Sequence, residues 1–344
     1  MQMPEFHSKV SGFAAYLPPN IISTEVTVPN GTLPWGIDFK RLTRIQSHHE
    51  VLENQGSLEL AVEASRKAIK RSGVALDEID LVINCSVSQM SSACENLVDP
   101  CMASLVSNKL GIRSKRSFDV LNACSGMVTG MMIADANIKS GECRNVLIIS
   151  GEFISSAIYE AKRLNLRFNM KAMPSMTVGD AGAAYVLSRS EEPKLGFLSP
   201  MTFAQHEKYC IAEAAKSVPG AMMRTEGRKL QSIALKYLPI YLKREFDANE
   251  LIWDDYEHVI SHQTTPKAVA KGGVIAAELF GHCKNNRSID HTGNTASTSH
   301  AVVLETLLEK GELKSNQKTY LMSFGSGFVM IGMHLEIPQG VEQW

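Results

Sequence analysis

The chain has 344 residues, 44% of them hydrophobic and 21% charged, enough for one large domain or two ordinary ones with well-buried cores. Its 35 basic and 36 acidic residues leave a formal net charge of -1, which excludes nucleic acid or a membrane surface as a bulk partner. Glu5, His7 and Lys9 interrupt the N-terminus and no run of 18 apolar residues occurs, so neither a signal peptide nor a membrane span is expected, and the expected location is cytoplasmic.

Residues 58–72 show helical periodicity, with Leu60, Ala61, Ala64 and Ala68 on one face. An acidic turn at 76–78 leads into a short buried strand at 81–83. A strand at 118–121 runs into Asn122-Ala123-Cys124-Ser125-Gly126, and a helix over 127–140 is closed by Gly141. A strand at 146–150 follows. Strands alternating with helices predict a largely parallel sheet covered on both faces. The seven cysteines, Cys85, Cys94, Cys101, Cys124, Cys143, Cys210 and Cys283, lack CxxC spacing, which argues against a disulfide framework and against a metal site.

Two segments recur. The acidic turn and strand of 76–84 have an echo at 253–261. The helix, turn and strand of 133–150 have another at 302–323. The same order of elements twice points to internal duplication, with a polar break at Ser190-Glu191-Glu192-Pro193 and halves at 1–190 and 191–344.

Four short segments carry the chemistry. Cys124 stands at a strand-to-helix junction, where the helix dipole favours thiolate and small neighbours admit a substrate carbonyl. By itself it reads as a small buried hydrophobe. Ser261-His262-Gln263-Thr264-Thr265 opens a polar loop at the end of a strand over 256–260. Thr292-Gly293-Asn294-Thr295-Ala296 precedes a helix starting near Ser297, where Asn294 also suits a cap or turn. Ser323-Phe324-Gly325-Ser326-Gly327-Phe328 is a glycine-rich turn between apolar strands. Taken singly, each is ordinary.

In that order, Cys-Ser-Gly, His-Gln, Gly-Asn-Thr and Phe-Gly-Ser-Gly-Phe resemble the signature of the ketoacyl synthase III branch of the thiolase superfamily. The resemblance spans nearly the whole chain and includes 12–18 and the Gly179-Asp180-Ala181-Gly182 stretch. It implies an α/β thiolase fold, a five-layered αβαβα sandwich of two pseudo-duplicated halves, assembled as a homodimer. It also implies that Cys124 accepts the acyl group and that His262 and Asn294 stabilise an enolate. The Cys124 N–H and the turn bearing Gly325 and Ser326 would bind the oxyanion. No cofactor is implied; coenzyme A or phosphopantetheine thioesters are the substrates, presented as acyl-CoA or on an acyl carrier protein.

Departures from the housekeeping enzymes point to a specialised role. Their Thr-Gly-Ile-Arg stretch is replaced by residues 42–49, and their arginine after the histidine motif by Lys267. Arg44 and Lys267 keep positive charge for coenzyme A or carrier-protein docking, or are simply solvated surface. The loop 85–100 resembles that of the olefin-pathway thiolase that joins two acyl-CoA chains head to head. In that branch a glutamate crosses the dimer interface as a base. Asp99 stands here, either as that base or as a helix N-cap with Pro100 at N1. Segment 222–227 also resembles that branch. Claisen condensation leads as the function, in secondary metabolism or specialised lipid synthesis. Acyl transfer to a hydroxyl or amine and a non-catalytic partner subunit are the alternatives.

Overall fold

Strict two-residue alternation of buried side chains organises the molecule into layers. The computed structural model describes residues 6–29, 32–33, 36–164, 166, 169–216, 218–282 and 286–344; Glu5 and Cys283 lie outside the described residues. In chain order the strands are β1 (His7–Tyr16), β2 (Asn20–Ser23), β3 (Ser47–Glu50), β4 (Leu81–Asn84), β5 (Arg116–Asp119), β6 (Asn145–Glu152) and β7 (Ala181–Ser190). They continue as β8 (Leu195–Phe197), β9 (Met201–Thr202), β10 (Cys210–Ala214), β11 (Ala221–Thr225), β12 (His258–Ser261), β13 (Lys318–Gly325) and β14 (Val329–Glu336).

The first sheet has the order β1-β7-β6-β4-β5 and the second β12-β13-β14-β8, with β9 also on β14. β8-β14-β13-β12 repeats β1-β7-β6-β4, and the sense of each pairing repeats too: antiparallel, antiparallel, parallel. The duplication read from the sequence echoes is thus present in the topology. Neither sheet is largely parallel, contrary to expectation. In each half the chain turns back after the central strand, so β7 and β14 run against β6 and β13.

On β6, Val146 and Ile148 point between the sheets while Leu147 and Ile149 point outward; on β7, Ala183 and Tyr185 alternate with Ala184 and Val186 in the same way. The central layer is the helices Gly126–Lys139 and Ser299–Glu309, packed between the two sheets. The helices Ser57–Ser72 and Met102–Leu110 cover the outer face of the first sheet. Gly227–Ala248 and Pro266–Phe280 cover that of the second. The result is the five-layered αβαβα sandwich. Period-2 strands buried on both faces are the physical reason these strands read as continuous apolar runs.

The paired glycines Gly151 on β6 and Gly182 on β7 seat the helix Ser57–Ser72. A Cβ on either would overlap the helix carbonyls of Ser57 or Leu60. That helix buries Leu60, Ala61, Ala64 and Ala68 completely, the face predicted from its periodicity. Met127 and Met131, at the start of the helix Gly126–Lys139, are buried between the two sheets. No described helix is long and apolar enough to cross a membrane.

Candidate active site

The nucleophile candidate sits in a tight elbow. A 3-10 turn over Ala123–Ser125 joins directly to the helix Gly126–Lys139, and Ala123 takes φ +46, a left-handed conformation that costs a non-glycine residue strain. The turn is pinned from the opposite half: Ser323 Oγ donates to the Cys124 carbonyl at 3.2 Å. Gly325, at the end of β13, approaches so closely that a Cβ would lie 3.0 Å from Asn122 O and Ser125 Oγ. Glycine lets the β13–β14 turn reach the elbow without forcing either neighbour to shift.

Cys124, His262 and Asn294 line one cavity of about 1230 Å³, together with Gly325, Ser326 and Lys267. Cys124 follows β5, His262 follows β12, and Asn294 lies in the loop after the short helix Ile289–Thr292, so the two halves contribute jointly. The His262 backbone N–H donates to Met322 O at 2.8 Å, and its Nδ1 contacts Ser299 Oγ at 2.9 Å. The Asn294 side chain is oriented by its own loop: Oδ1 accepts from Ala296 N–H at 3.0 Å, and the residue lines the cavity. That loop is held to β7's approach by Asn294 N–H to Thr177 O, 2.8 Å, and Gly179 N–H to Asn294 O, 3.1 Å.

Burial dominates the electrostatics. Burial, with the neighbouring His300 ring, pulls the His262 imidazolium down to about 3, so the ring is neutral at physiological pH. Burial likewise pulls His300 down to about 4. The Cys124 thiol is pushed up, first by burial and then by Cys210 and Glu152, against a lowering by its backbone N–H. This upward direction is opposite to the lowering expected from the helix dipole, although Cys124 keeps partial exposure to the cavity.

Several contributors were not legible in the sequence. Glu152, fully buried at the end of β6, accepts from Val87 N–H and Ser88 N–H, each at 2.9 Å. It also accepts from the hydroxyls of Ser88, Ser150 and Ser297. It thereby ties the loop after β4, where Ser88 lines the cavity, to the loop bearing Asn294. Cys210 and Thr225 of the β10–β11 hairpin line the cavity too. A composition scan offers no signal for residues whose role depends on folding 100 residues away.

Arg44 and Lys267 are exposed and share a smaller pocket at the cavity's edge with Arg41, whose part no motif of the sequence marks. Asp99 is exposed and lies outside the cavity lining of this chain. Its helix-cap alternative is corrected. The N-cap residue of Met102–Leu110 is Cys101, and the Asp119 carboxylate takes the Met102 and Ala103 N–H groups at 3.0 Å each. An anion reaching in from the neighbouring β5 satisfies the helix end in its place. Among the described residues, no group of three or more His, Cys, Asp or Glu could hold a metal ion, and Cys85, Cys94, Cys101, Cys124, Cys143 and Cys210 are free thiols.

Comparison with known proteins identifies the family. The 3-oxoacyl-[acyl-carrier-protein] synthase III profile matches residues 118–204, which contain the Cys124 elbow, and the profile of its C-terminal domain matches 246–337, which contain His262 and Asn294. A beta-ketoacyl-[acyl-carrier-protein] synthase III of Thiobacillus denitrificans is 26% identical over 331 residues, covering 94% of this chain and 97% of that protein. One of Xanthomonas campestris pv. campestris is 26% identical over 336 residues, covering 94% and 96%. Among solved structures, a variant of Xanthomonas campestris OleA superimposes with TM-score 0.84 at 22% identity, covering 98% of this chain and 100% of that one. OleA with bound lauric acid and lauroyl-CoA gives TM-score 0.84 at 21% identity, covering 96% and 100%. With both halves matched in order around one cavity, the chain belongs to the ketoacyl synthase III family, condensing acyltransferases of the thiolase fold.

Proposed function

We propose that this enzyme joins two acyl thioesters by Claisen condensation, with at least one long acyl chain held in the cavity. The Cys124 sulfur attacks the donor thioester carbonyl. The acyl–sulfur bond to coenzyme A or carrier pantetheine breaks, and the Cys124 proton leaves with the departing thiol. The second thioester, as an enolate, then attacks acyl-Cys124; its carbon–carbon bond forms as the Cys124 thiolate departs. His262 and Asn294 receive the enolate oxygen, and the backbone N–H groups of Cys124 and Ser326 receive the oxyanion of each tetrahedral intermediate.

The observation carrying this reading is the cavity itself. It is larger than the ~300–1,000 Å³ of ordinary ligand pockets. From Cys124 it reaches Leu238, Leu242, Trp253, Tyr320 and Phe328, part of the apolar layer outside the second sheet. An acetyl group needs none of that depth. Arg41, Arg44 and Lys267 at the edge suit the phosphates of coenzyme A or a carrier pantetheine. The depth and the replaced coenzyme A stretch favour specialised lipid synthesis over chain initiation.

A homodimer completes the proposal, each half of the repeat forming one domain at about 1–190 and 191–344. β5 is an edge strand of the first sheet, and Phe118 on it, Leu121 just after it and Val98 are exposed. Asp99 adjoins Val98 and serves as the α-proton base of the partner's site when the second substrate is not a malonyl thioester. The test is product analysis by mass spectrometry after incubation with a long-chain acyl-CoA, alone and with malonyl-CoA. A β-keto product is expected; free acid, ester or amide as the sole product would refute carbon–carbon bond formation.

A further inference from the structure

The catalytic proposal needs His262 to offer a proton to an oxygen anion, which the ring does from Nε2 only when Nδ1 carries no hydrogen. Two observations decide the tautomer. Ser299 is 1% exposed, and among the described residues His262 Nδ1 is the one hydrogen-bond partner recorded for its hydroxyl. If Nδ1–H donated to Ser299 Oγ, the hydroxyl hydrogen would be left buried without an acceptor. If Ser299 O–H donates to Nδ1, the hydroxyl is satisfied and Nε2–H faces the cavity.

We propose that Ser299 is the positioning residue that fixes His262 in its Nε2–H tautomer, so that the ring serves the cavity as a donor and not as a general base. This rests on the condensing reaction proposed above. It also sharpens it: a ring locked as donor suits an enolate and is useless for deprotonating a hydroxyl or amine acceptor. The geometry supports the lock from both sides. The His262 backbone N–H is held on Met322 O, and the same carbonyl accepts His300 Nε2–H at 3.1 Å. His262 and His300 thus hang from one carbonyl; Ser299, the first residue of its helix, is next to His300 in the chain and its hydroxyl reaches His262 Nδ1. Asn294, locked through Ala296, supplies the second donor.

The test is nitrogen-15 NMR of histidine-labelled protein, read with single-turnover kinetics. Wild-type His262 is expected to show an unprotonated Nδ1 and a protonated Nε2. Ser299→Ala should mix the tautomers and slow condensation by about 10–100-fold, with acyl-Cys124 formation changed by no more than about twofold, and Ser299→Thr should restore both. A protonated Nδ1 in the wild type, or wild-type condensation by Ser299→Ala, overturns the proposal. The wild-type spectrum decides even if Ser299→Ala does not fold. Failure of the underlying reading looks different: His262→Ala would condense at the wild-type rate whatever the tautomer.

Discussion

The two halves build the same elbow and use it for different ends. In the first, Ala123 (φ +46), Cys124 and Ser125 form a 3-10 turn before the central helix; in the second, Ala296 (φ +50), Ser297 and Thr298 do the same. Cys124 and Ser297 therefore occupy equivalent places. Yet Cys124 is half-buried and lines the cavity, whereas Ser297 is 1% exposed and gives its hydroxyl to Glu152. The strained turn alone does not set what its side chain can do. What the side chain faces does: a large cavity in one half, a buried carboxylate in the other.

The sharpest way to break this comparison is to exchange consequences. Cys124→Ala should abolish the acyl-enzyme completely, while Ser297→Ala should leave it intact, both read by intact-protein mass. The next effect in size concerns the second half-reaction. His262→Ala and Asn294→Ala should each accumulate acyl-Cys124 and lose about 10²–10³ in condensation rate, as removal of an oxyanion donor does. Loss of acylation in both, with the fold retained, would merge two roles that the two elbows keep apart.

Ser297→Ala should act on stability instead. It removes one of the donors to buried Glu152, a loss of about 1–3 kcal/mol, visible as a lower melting temperature. An unchanged melting temperature would mean that Glu152 does not depend on the second elbow.

A smaller effect follows from the histidines behind the site. His262 and His300 titrate near 3 and 4 in the fold against 6.5 in the unfolded chain, so the unfolded state binds more protons below pH 6.5 and stability falls as the pH falls. Each contributes about 2 kcal/mol of loss between pH 6.5 and about pH 5. Asp180, raised to about 7 by burial, opposes this, because its folded state holds a proton that the unfolded state releases. His49 and His334, also lowered by burial, add to the loss, so the histidines outweigh the one aspartate and the net effect is a loss. His300→Gln should flatten the decline in melting temperature from pH 6.5 to about pH 5; an unchanged slope would show that His300 takes up its proton in the fold as readily as in the unfolded chain.

Much of this was readable from local order. The helix Ser57–Ser72 follows its alanine-rich periodicity, and β6 and β13 follow the echoes at 133–150 and 302–323. Cys124, His262 and Asn294 stood out only together, through the order of the four motifs and its resemblance to the ketoacyl synthase III signature; singly, each is ordinary. What escaped depends on distance in sequence. The upward shift of the Cys124 thiol comes from burial that only the assembled halves create. Asp119 displaces Asp99 as the partner of a helix N-terminus because β5 brings it there, 17 residues from Met102. Ser299 reads as a helix-start serine until His262, 37 residues away, is packed against it.

The central claim is that Cys124 alone among the described thiols, Cys210 in the same cavity included, takes an acyl group. Its most direct test is intact-protein mass spectrometry, with peptide mapping, of wild-type and Cys124→Ala enzyme exposed to a panel of acyl-CoAs of increasing chain length. The account predicts one acyl adduct per wild-type chain, on Cys124, favouring long chains, and none in the variant. An undiminished adduct in Cys124→Ala, or wild-type acylation mapped to Cys210, would contradict it.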